Sequence, residues 1–73
     1  MLDENAKKMI TEAGVPGALD LALKASRKPD GFKIQPGDED RHIDMQCLIN
    51  LGVAYVRTRK GIRKFRIYKK LTM

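Results

Sequence analysis

The apolar residues of the first fifty positions recur at helical spacing, whereas those of the last twenty alternate with basic residues. The helical spacing predicts three helices, at about residues 2–13, 16–26 and 39–51. Acidic residues begin the first and third helices, where the helix dipole favours negative charge, and Asp38 is a candidate cap for the third. Gly14 and Gly52 mark two of the helix ends.

The third predicted helix carries its apolar residues on one side. Helical spacing places Ile43, Cys47, Leu48 and Leu51 on a common face. Arg41, Asp44 and Asn50 are therefore expected to lie mostly outside it, with Gln46 near the boundary.

The stretch between the second and third helices has strong turn signals. Pro29-Asp30-Gly31 and Pro36-Gly37 each favour a turn, so residues 27–39 are predicted to form a loop. Inside it, residues 32–34 alternate apolar and polar, which is compatible with a short strand. Such a strand, paired with the C-terminal residues, would make a small three-stranded antiparallel sheet.

The C-terminal third predicts a β-hairpin. Two alternating segments, 53–58 and 62–70, flank Lys60-Gly61, and glycine suits a tight turn because it accepts a positive φ. A slightly longer loop is the alternative, because Lys is not a preferred first residue of such a turn.

Counting outward from a two-residue turn assigns each residue of the hairpin a partner and a face. One face is apolar and is expected to pack on the helices, and the other is basic. The apolar pairs are Val56 with Phe65 and Ala54 with Ile67, and the polar pairs are Arg57 with Lys64 and Tyr55 with Arg66.

These elements predict one small α+β domain over residues 1–73, with three helices and a C-terminal β-hairpin. A chain of 73 residues buries only about 60% of its unfolded surface, so its stability is marginal. Chains this short often depend on a partner, and a homodimer is one expectation.

The charge is divided unevenly along the chain. Residues 1–44 hold seven Lys or Arg and nine Asp or Glu, a net charge of −2. Residues 45–73 hold eight Lys or Arg and no acid, a net charge of +8. A basic cluster confined to one element is typical of nucleic-acid binders. The alternative is a basic edge that only prevents strand-to-strand aggregation.

Composition makes several other classes of protein improbable. No apolar run approaches the roughly 20 residues of a membrane helix, and the N-terminus lacks the apolar core of a signal peptide. The single cysteine, Cys47, allows no intramolecular disulfide. We therefore expect a cytoplasmic protein without membrane contact.

Catalytic and metal-binding constellations are lacking. His42 and Cys47 are the one histidine and the one cysteine, and their spacing of five puts them on different sides of a helix. A zinc site usually needs four such ligands. No glycine-rich phosphate loop precedes a helix. The sequence predicts a protein that is not an enzyme and has no cofactor, metal ion or small-molecule substrate.

The hairpin is the predicted binding element. Lys and Arg neutralise phosphates, and Arg also bonds phosphate or guanine in bidentate fashion. Tyr55 and Tyr68 on the outer side are candidates for stacking. The predicted nucleic-acid contacts on the hairpin are Arg57, Thr58, Arg59, Lys60, Arg63, Lys64 and Arg66.

Residues 39–73, an apolar helix end followed by Gly52, a strand, a basic turn and a second strand, resemble the C-terminal half of a winged-helix DNA-binding domain. The resemblance implies that the third helix is a recognition helix and that the hairpin is the wing. On that helix the candidate base readers are Arg41, Gln46 and Asn50.

Two features depart from the family's pattern. The 32–34 segment follows the second helix, whereas winged helices usually place that strand after the first. The third helix also begins with three acids at 38–40, which repel phosphate.

Three functions follow as hypotheses. The first is a small DNA-binding regulator of the phage or plasmid type that prefers duplex DNA. The second is an RNA-binding protein that uses the same sheet. The third is a protein-interaction module, an inhibitor or assembly factor that binds an acidic partner.

Overall fold

A computed structural model of the chain describes residues 2–72 and has the α+β arrangement predicted above. The three helices and the two strands are followed by a short 3₁₀ helix. In chain order they are α1 (Glu4–Glu12), α2 (Ala18–Ser26), α3 (Glu39–Asn50), β1 (Ala54–Arg59), β2 (Ile62–Ile67) and the 3₁₀ helix Lys69–Leu71.

Helix α2 is at the centre of the molecule and packs against α1, α3 and β2. Its residues Ala18, Leu21 and Ala22 have no solvent exposure. Small side chains let neighbouring elements approach closely, which suits a helix with three packing partners. The rest of the core comes from Leu2, Ala6, Ile10, Ala25, Leu48, Val53, Ala54, Phe65 and Ile67.

Strands β1 and β2 form an antiparallel hairpin in the predicted register. Val56 faces Phe65 and Ala54 faces Ile67, as counting from the turn required. Lys60 and Gly61 both have positive φ, 53° and 77°. A type I′ turn needs positive φ at both central residues, so the two-residue turn is confirmed and the longer loop is wrong.

Two predicted boundaries change near the first and last described residues. Leu2 forms a β-bridge with Thr72, so α1 starts at Glu4 instead of residue 2. The second strand was predicted to run to residue 70, but β2 ends at Ile67. The amide of Tyr68 still bonds the Val53 carbonyl, and beyond that pair the chain coils into the 3₁₀ helix.

The segment 32–34 does not form a strand. Within residues 2–72, Phe32 makes an isolated bridge to Phe65, with two backbone hydrogen bonds of 2.8 Å. The chain then turns towards α3, where the Asp38 amide donates to the Gln35 carbonyl. Too few residues are left between bridge and turn to extend the ladder, so the sheet has two strands.

Helix α3 is rotated relative to the prediction. Ile43, assigned to the apolar face, is 60% exposed, whereas Asp44, assigned to the outside, is only 5% exposed. The buried side runs through Asp44 and Leu48, which lie four residues apart. The prediction was wrong at these two positions because spacing alone favoured the apolar residue.

Helix α2 begins two residues later than predicted, at Ala18. Gly17 precedes it with a φ of 86°, a left-handed conformation that a right-handed helix excludes.

Among residues 2–72, no helix has both the length and the apolar character required to cross a bilayer.

Candidate nucleic-acid interface

The hairpin turns one face away from the helices and presents a basic groove there. Side chains alternate along each strand, so the neighbours of the buried Ala54 and Phe65 point outwards. This outer face consists of Tyr55, Arg57 and Arg59 from β1 and Ile62, Lys64 and Arg66 from β2. Together with Lys60 and Asp30, all of these except Tyr55 line a groove of about 460 Å³.

Like charges lie opposite each other across the outer face. Arg57 is the direct partner of Lys64, and Arg66 follows two residues along β2. Like charges in cross-strand pairs destabilise a sheet. All the ion pairs found within residues 2–72 are on the helices, and none involves a hairpin cation. Within residues 2–72 the cations of the outer face are therefore not ion-paired, and Asp30 is the one acidic residue that lines their groove.

Arg66 is held in place by the loop before Phe32. Its Nη2 donates to the Asp30 carbonyl oxygen over 3.0 Å. A Cβ at Gly31, where φ is 105°, would lie 2.7 Å from the Lys64 Cβ and 3.3 Å from the Arg66 Nε. That Nε is buried and has no hydrogen-bond partner within residues 2–72. The loop thus fixes Arg66 through a neutral carbonyl, which leaves its charge unpaired.

Thr58 and Arg63 lie on the other side of the hairpin. They face each other across the strands and follow the alternation of Val56 and Phe65, not that of Arg57. Arg63 lines a second groove of about 450 Å³ between the hairpin and α3, along with Met45 and others. The predicted hairpin residues therefore divide, with Arg57, Arg59, Lys60, Lys64 and Arg66 on the first groove and Arg63 on the second.

Arg41 is engaged between α2 and α3. Its Nη2 donates to Asp20 Oδ2 over 2.8 Å, and its Nη1 is 3.8 Å from Asp44 Oδ2. The hydrogen bond from Arg41 lowers the pKa of Asp20, and the same bond raises the pKa of Arg41. This residue joins two helices, whereas a base reader needs a free guanidinium group.

The buried carboxyl of Asp44 has the opposite shift. Burial raises its pKa above the ordinary value, because a desolvated carboxylate is disfavoured, and the nearby Arg41 only partly opposes this. Sequence reasoning missed this group. The i, i+3 spacing of Arg41 and Asp44 was the available signal for a shared helix face.

The other two candidate base readers, Gln46 and Asn50, are exposed on α3. The Gln46 Nε2 donates to the Asn50 Oδ1 over 2.9 Å. Binding to a base edge would require that bond to be replaced. The start of the same helix is acidic, since Asp38 caps it by accepting from the Arg41 amide and Glu39 and Asp40 follow.

Two tyrosines form an aromatic pair at the base of the hairpin. The ring centroids of Tyr55 and Tyr68 are 4.7 Å apart, with the planes inclined by 38°. Tyr68 is 39% exposed, and the Lys70 Nζ is 5.7 Å from its ring centroid. Sequence reasoning suggested both rings for stacking, but strand alternation could not show that they pack on each other.

His42 and Cys47 do not come together in a site. The His42 ring is exposed, with Nδ1 2.7 Å from the Asp38 carbonyl oxygen, whereas Cys47 is half-buried. Residues 2–72 contain no group of three or more His, Cys, Asp or Glu side chains placed to share a metal ion.

Comparison of the chain with protein-family models, with curated proteins and with solved structures finds no match.

Proposed function

We propose that this protein binds nucleic acid, duplex DNA in preference to RNA, through the outer face of its hairpin. The observation that carries the proposal is the grouping of five cationic residues around one groove, none of them paired with a carboxylate within residues 2–72. These residues are Arg57, Arg59, Lys60, Lys64 and Arg66. Their role is binding and not catalysis.

Arg57 and Lys64 repel each other across the two strands. Phosphates placed over the groove would supply the missing counter-charge and release condensed cations from the DNA. Engagement of all five residues would give a slope of log K against log salt of roughly −4.5. Arg66 is already oriented by its bond to Asp30, so less side-chain entropy is lost on binding.

In this proposal the hairpin contributes more than α3. The acids Asp38, Glu39 and Asp40 would face phosphates unfavourably if the start of α3 entered a groove of DNA, and Arg41 is engaged with Asp20. If the hairpin, as the wing, makes most of the DNA contacts, the winged-helix resemblance remains a hypothesis about the fold. It also suits a small DNA-binding regulator of the phage or plasmid type.

The test measures the affinity for a labelled duplex as a function of salt. Arg57→Ala combined with Arg59→Ala is expected to weaken binding and flatten the salt slope by about 1.8, because two phosphate contacts are lost. Lys8→Ala combined with Arg27→Ala removes the same charge at two exposed positions on the helical side of the molecule and is the matched control. A salt-independent affinity, or equal losses in both double variants, would contradict the proposal.

An acidic protein partner is the second candidate, and one observation favours it. Ile62 is 50% exposed inside the basic groove, and interfaces between proteins usually include apolar contact. The absorbance ratio at 260 and 280 nm after purification in low salt separates the two candidates. The chain has no Trp and two Tyr, so bound nucleic acid would dominate the spectrum.

A further inference from the structure

The outer face changes character between the hairpin tip and the hairpin base. Near the tip it is cationic, and at the base Tyr55 lies opposite Arg66 and packs on Tyr68. Neither tyrosine belongs to the hydrophobic core or to the apolar residues packed against it. Tyr55 is half-buried and lines a small cleft with Ala25 and Ile67, so packing accounts for its position. Packing does not account for the Tyr68 ring, which is exposed beside it.

We infer that the Tyr55–Tyr68 pair is a stacking site for an unpaired nucleobase, so that the preferred ligand is DNA in which a duplex adjoins unpaired nucleotides. This inference rests on the proposed function and specifies its ligand. Tyr68 is the ring that receives the base, because it is the more exposed of the two and Tyr55 supports it from the strand.

Stacking excludes an intact duplex as the ligand of this site. In a continuous duplex the faces of each base are covered by its neighbours, whereas an unpaired base offers its face to an aromatic ring. Proteins that hold unpaired strands combine a basic groove with exposed rings in this way. The Lys70 Nζ lies over the Tyr68 ring, 5.7 Å from its centroid, and Tyr55 packs against the same ring. Lys70 is exposed, so its side chain can move aside when a base stacks on Tyr68.

The dimensions of the outer face are compatible with one strand that continues from groove to ring. The Arg59–Ile62 pair and the Tyr55–Arg66 pair are four residues apart along β1, which is about 13 Å. That length corresponds to roughly four nucleotide steps of one DNA strand. Phosphates along the groove and a base on Tyr68 are therefore within reach of the same strand.

The experiment compares three labelled DNAs that share one duplex. The first is blunt, the second carries an overhang of roughly four nucleotides, and the third carries an overhang of the same length made of abasic sites. The abasic overhang has the same phosphates without the bases, so it isolates stacking. We expect the base-bearing overhang to bind at least about fivefold more tightly than the abasic one, the low end for one stacked base.

Variants locate the effect at Tyr68. Tyr68→Ala is expected to remove the difference between the two overhangs, and Tyr68→Phe, which keeps the ring, to retain it. The protein has two tyrosines and no Trp, so in Tyr55→Phe all intrinsic tyrosine emission comes from Tyr68. That emission is expected to be quenched by the base-bearing overhang and not by the abasic one.

The outcomes separate this inference from the proposed function. Equal affinity for the two overhangs, with the blunt duplex also bound, would overturn the stacking site and leave the basic groove standing. Loss of binding to all three DNAs would overturn both. Because the overhang comparison is made in the wild-type protein, it stands even where Tyr68→Ala fails to fold.

Discussion

The buried carboxylate of Asp44 lies directly against Gly17. A Cβ at position 17 would be 2.7 Å from the Asp44 Oδ2 and 3.3 Å from its Cγ. Gly17 immediately precedes α2, so the absence of a side chain there leaves the space that Asp44 of α3 occupies. The contact joins the start of α2 to the buried side of α3.

Replacement of Gly17 by Ala should therefore destabilise the protein more than an ordinary glycine substitution. Alanine at this position would have to adopt a φ of 86°, which disfavours any residue with a Cβ. The new Cβ would also collide with the buried Asp44, and overpacking of a core costs roughly 1–3 kcal/mol. Gly17→Ala should lower the free energy of unfolding, measured in urea, by more than the backbone cost alone.

Gly37→Ala is the matched control for that prediction. Its φ is 92°, and a Cβ there would meet nothing within 4 Å, so it reports the backbone cost by itself. The Gly17 variant should exceed it by about 1 kcal/mol or more. In an Asp44→Ala background the excess should shrink, and equal losses in the two glycine variants would show that the contact carries no energy.

Asp44→Asn should alter how stability depends on pH. Because the folded-state pKa of Asp44 is raised, the folded protein holds this proton more tightly than the unfolded chain. The contribution of Asp44 to stability therefore falls as pH rises from the ordinary pKa of 3.8 through the raised value. Relative to wild type, Asp44→Asn should gain stability across that window and level off above it, as measured by urea unfolding at each pH.

Asp20 supplies a control of opposite sign. Its folded-state pKa is lowered by the hydrogen bond from Arg41, so its stabilisation is present above 3.8 and is lost as pH falls through the lowered value. Asp20→Asn should be less stable than wild type at neutral pH, and the difference should narrow below pH 3.8. The same trend in both variants would contradict the two assigned shifts.

Arg57→Thr should stabilise the protein while weakening DNA binding. Removal of one member of the like-charged pair with Lys64 relieves cross-strand repulsion worth about 0.2–1 kcal/mol, and Thr is well suited to a strand. The salt slope of DNA binding should become shallower by about 0.9. Urea unfolding and salt-dependent DNA titration measure the two effects.

Lys8→Gln on α1 is the control for charge alone. It lowers the net charge by the same amount at an exposed helical position. The gain in stability and the shallower salt slope expected for Arg57→Thr should therefore be absent in Lys8→Gln. A loss of stability in Arg57→Thr would mean that its side chain contributes packing that outweighs the repulsion.

Arg41→Gln should have the opposite profile, with reduced stability and little loss of DNA affinity. The guanidinium group joins α2 to α3 through Asp20 and is the nearest cation to the buried Asp44. Its removal leaves Asp44 less compensated, so the urea midpoint should fall. A large loss of DNA affinity with unchanged stability would restore Arg41 as a DNA contact.

The hairpin could be predicted in detail because its information is local. Strand alternation has a strict period of two, and the turn at Lys60-Gly61 specifies the partner of every residue, so a shift by one would have exposed Phe65. The five cations of the basic groove could be named for the same reason. Thr58 and Arg63 were grouped with them because they are near the tip, although alternation places them on the other face.

The helical part was predictable in outline only. The amino-acid sequence by itself determined three helices, the position of the turn and the basic face, because spacing, turn chemistry and charge act within a few residues of each other. It left a slightly longer loop open at the turn. The rotation of α3 depended on a partner distant in sequence. Asp44 is buried and Ile43 exposed because Gly17 leaves room for a carboxylate and Arg41 compensates it, and only the packing of α2 on α3 brings these groups together.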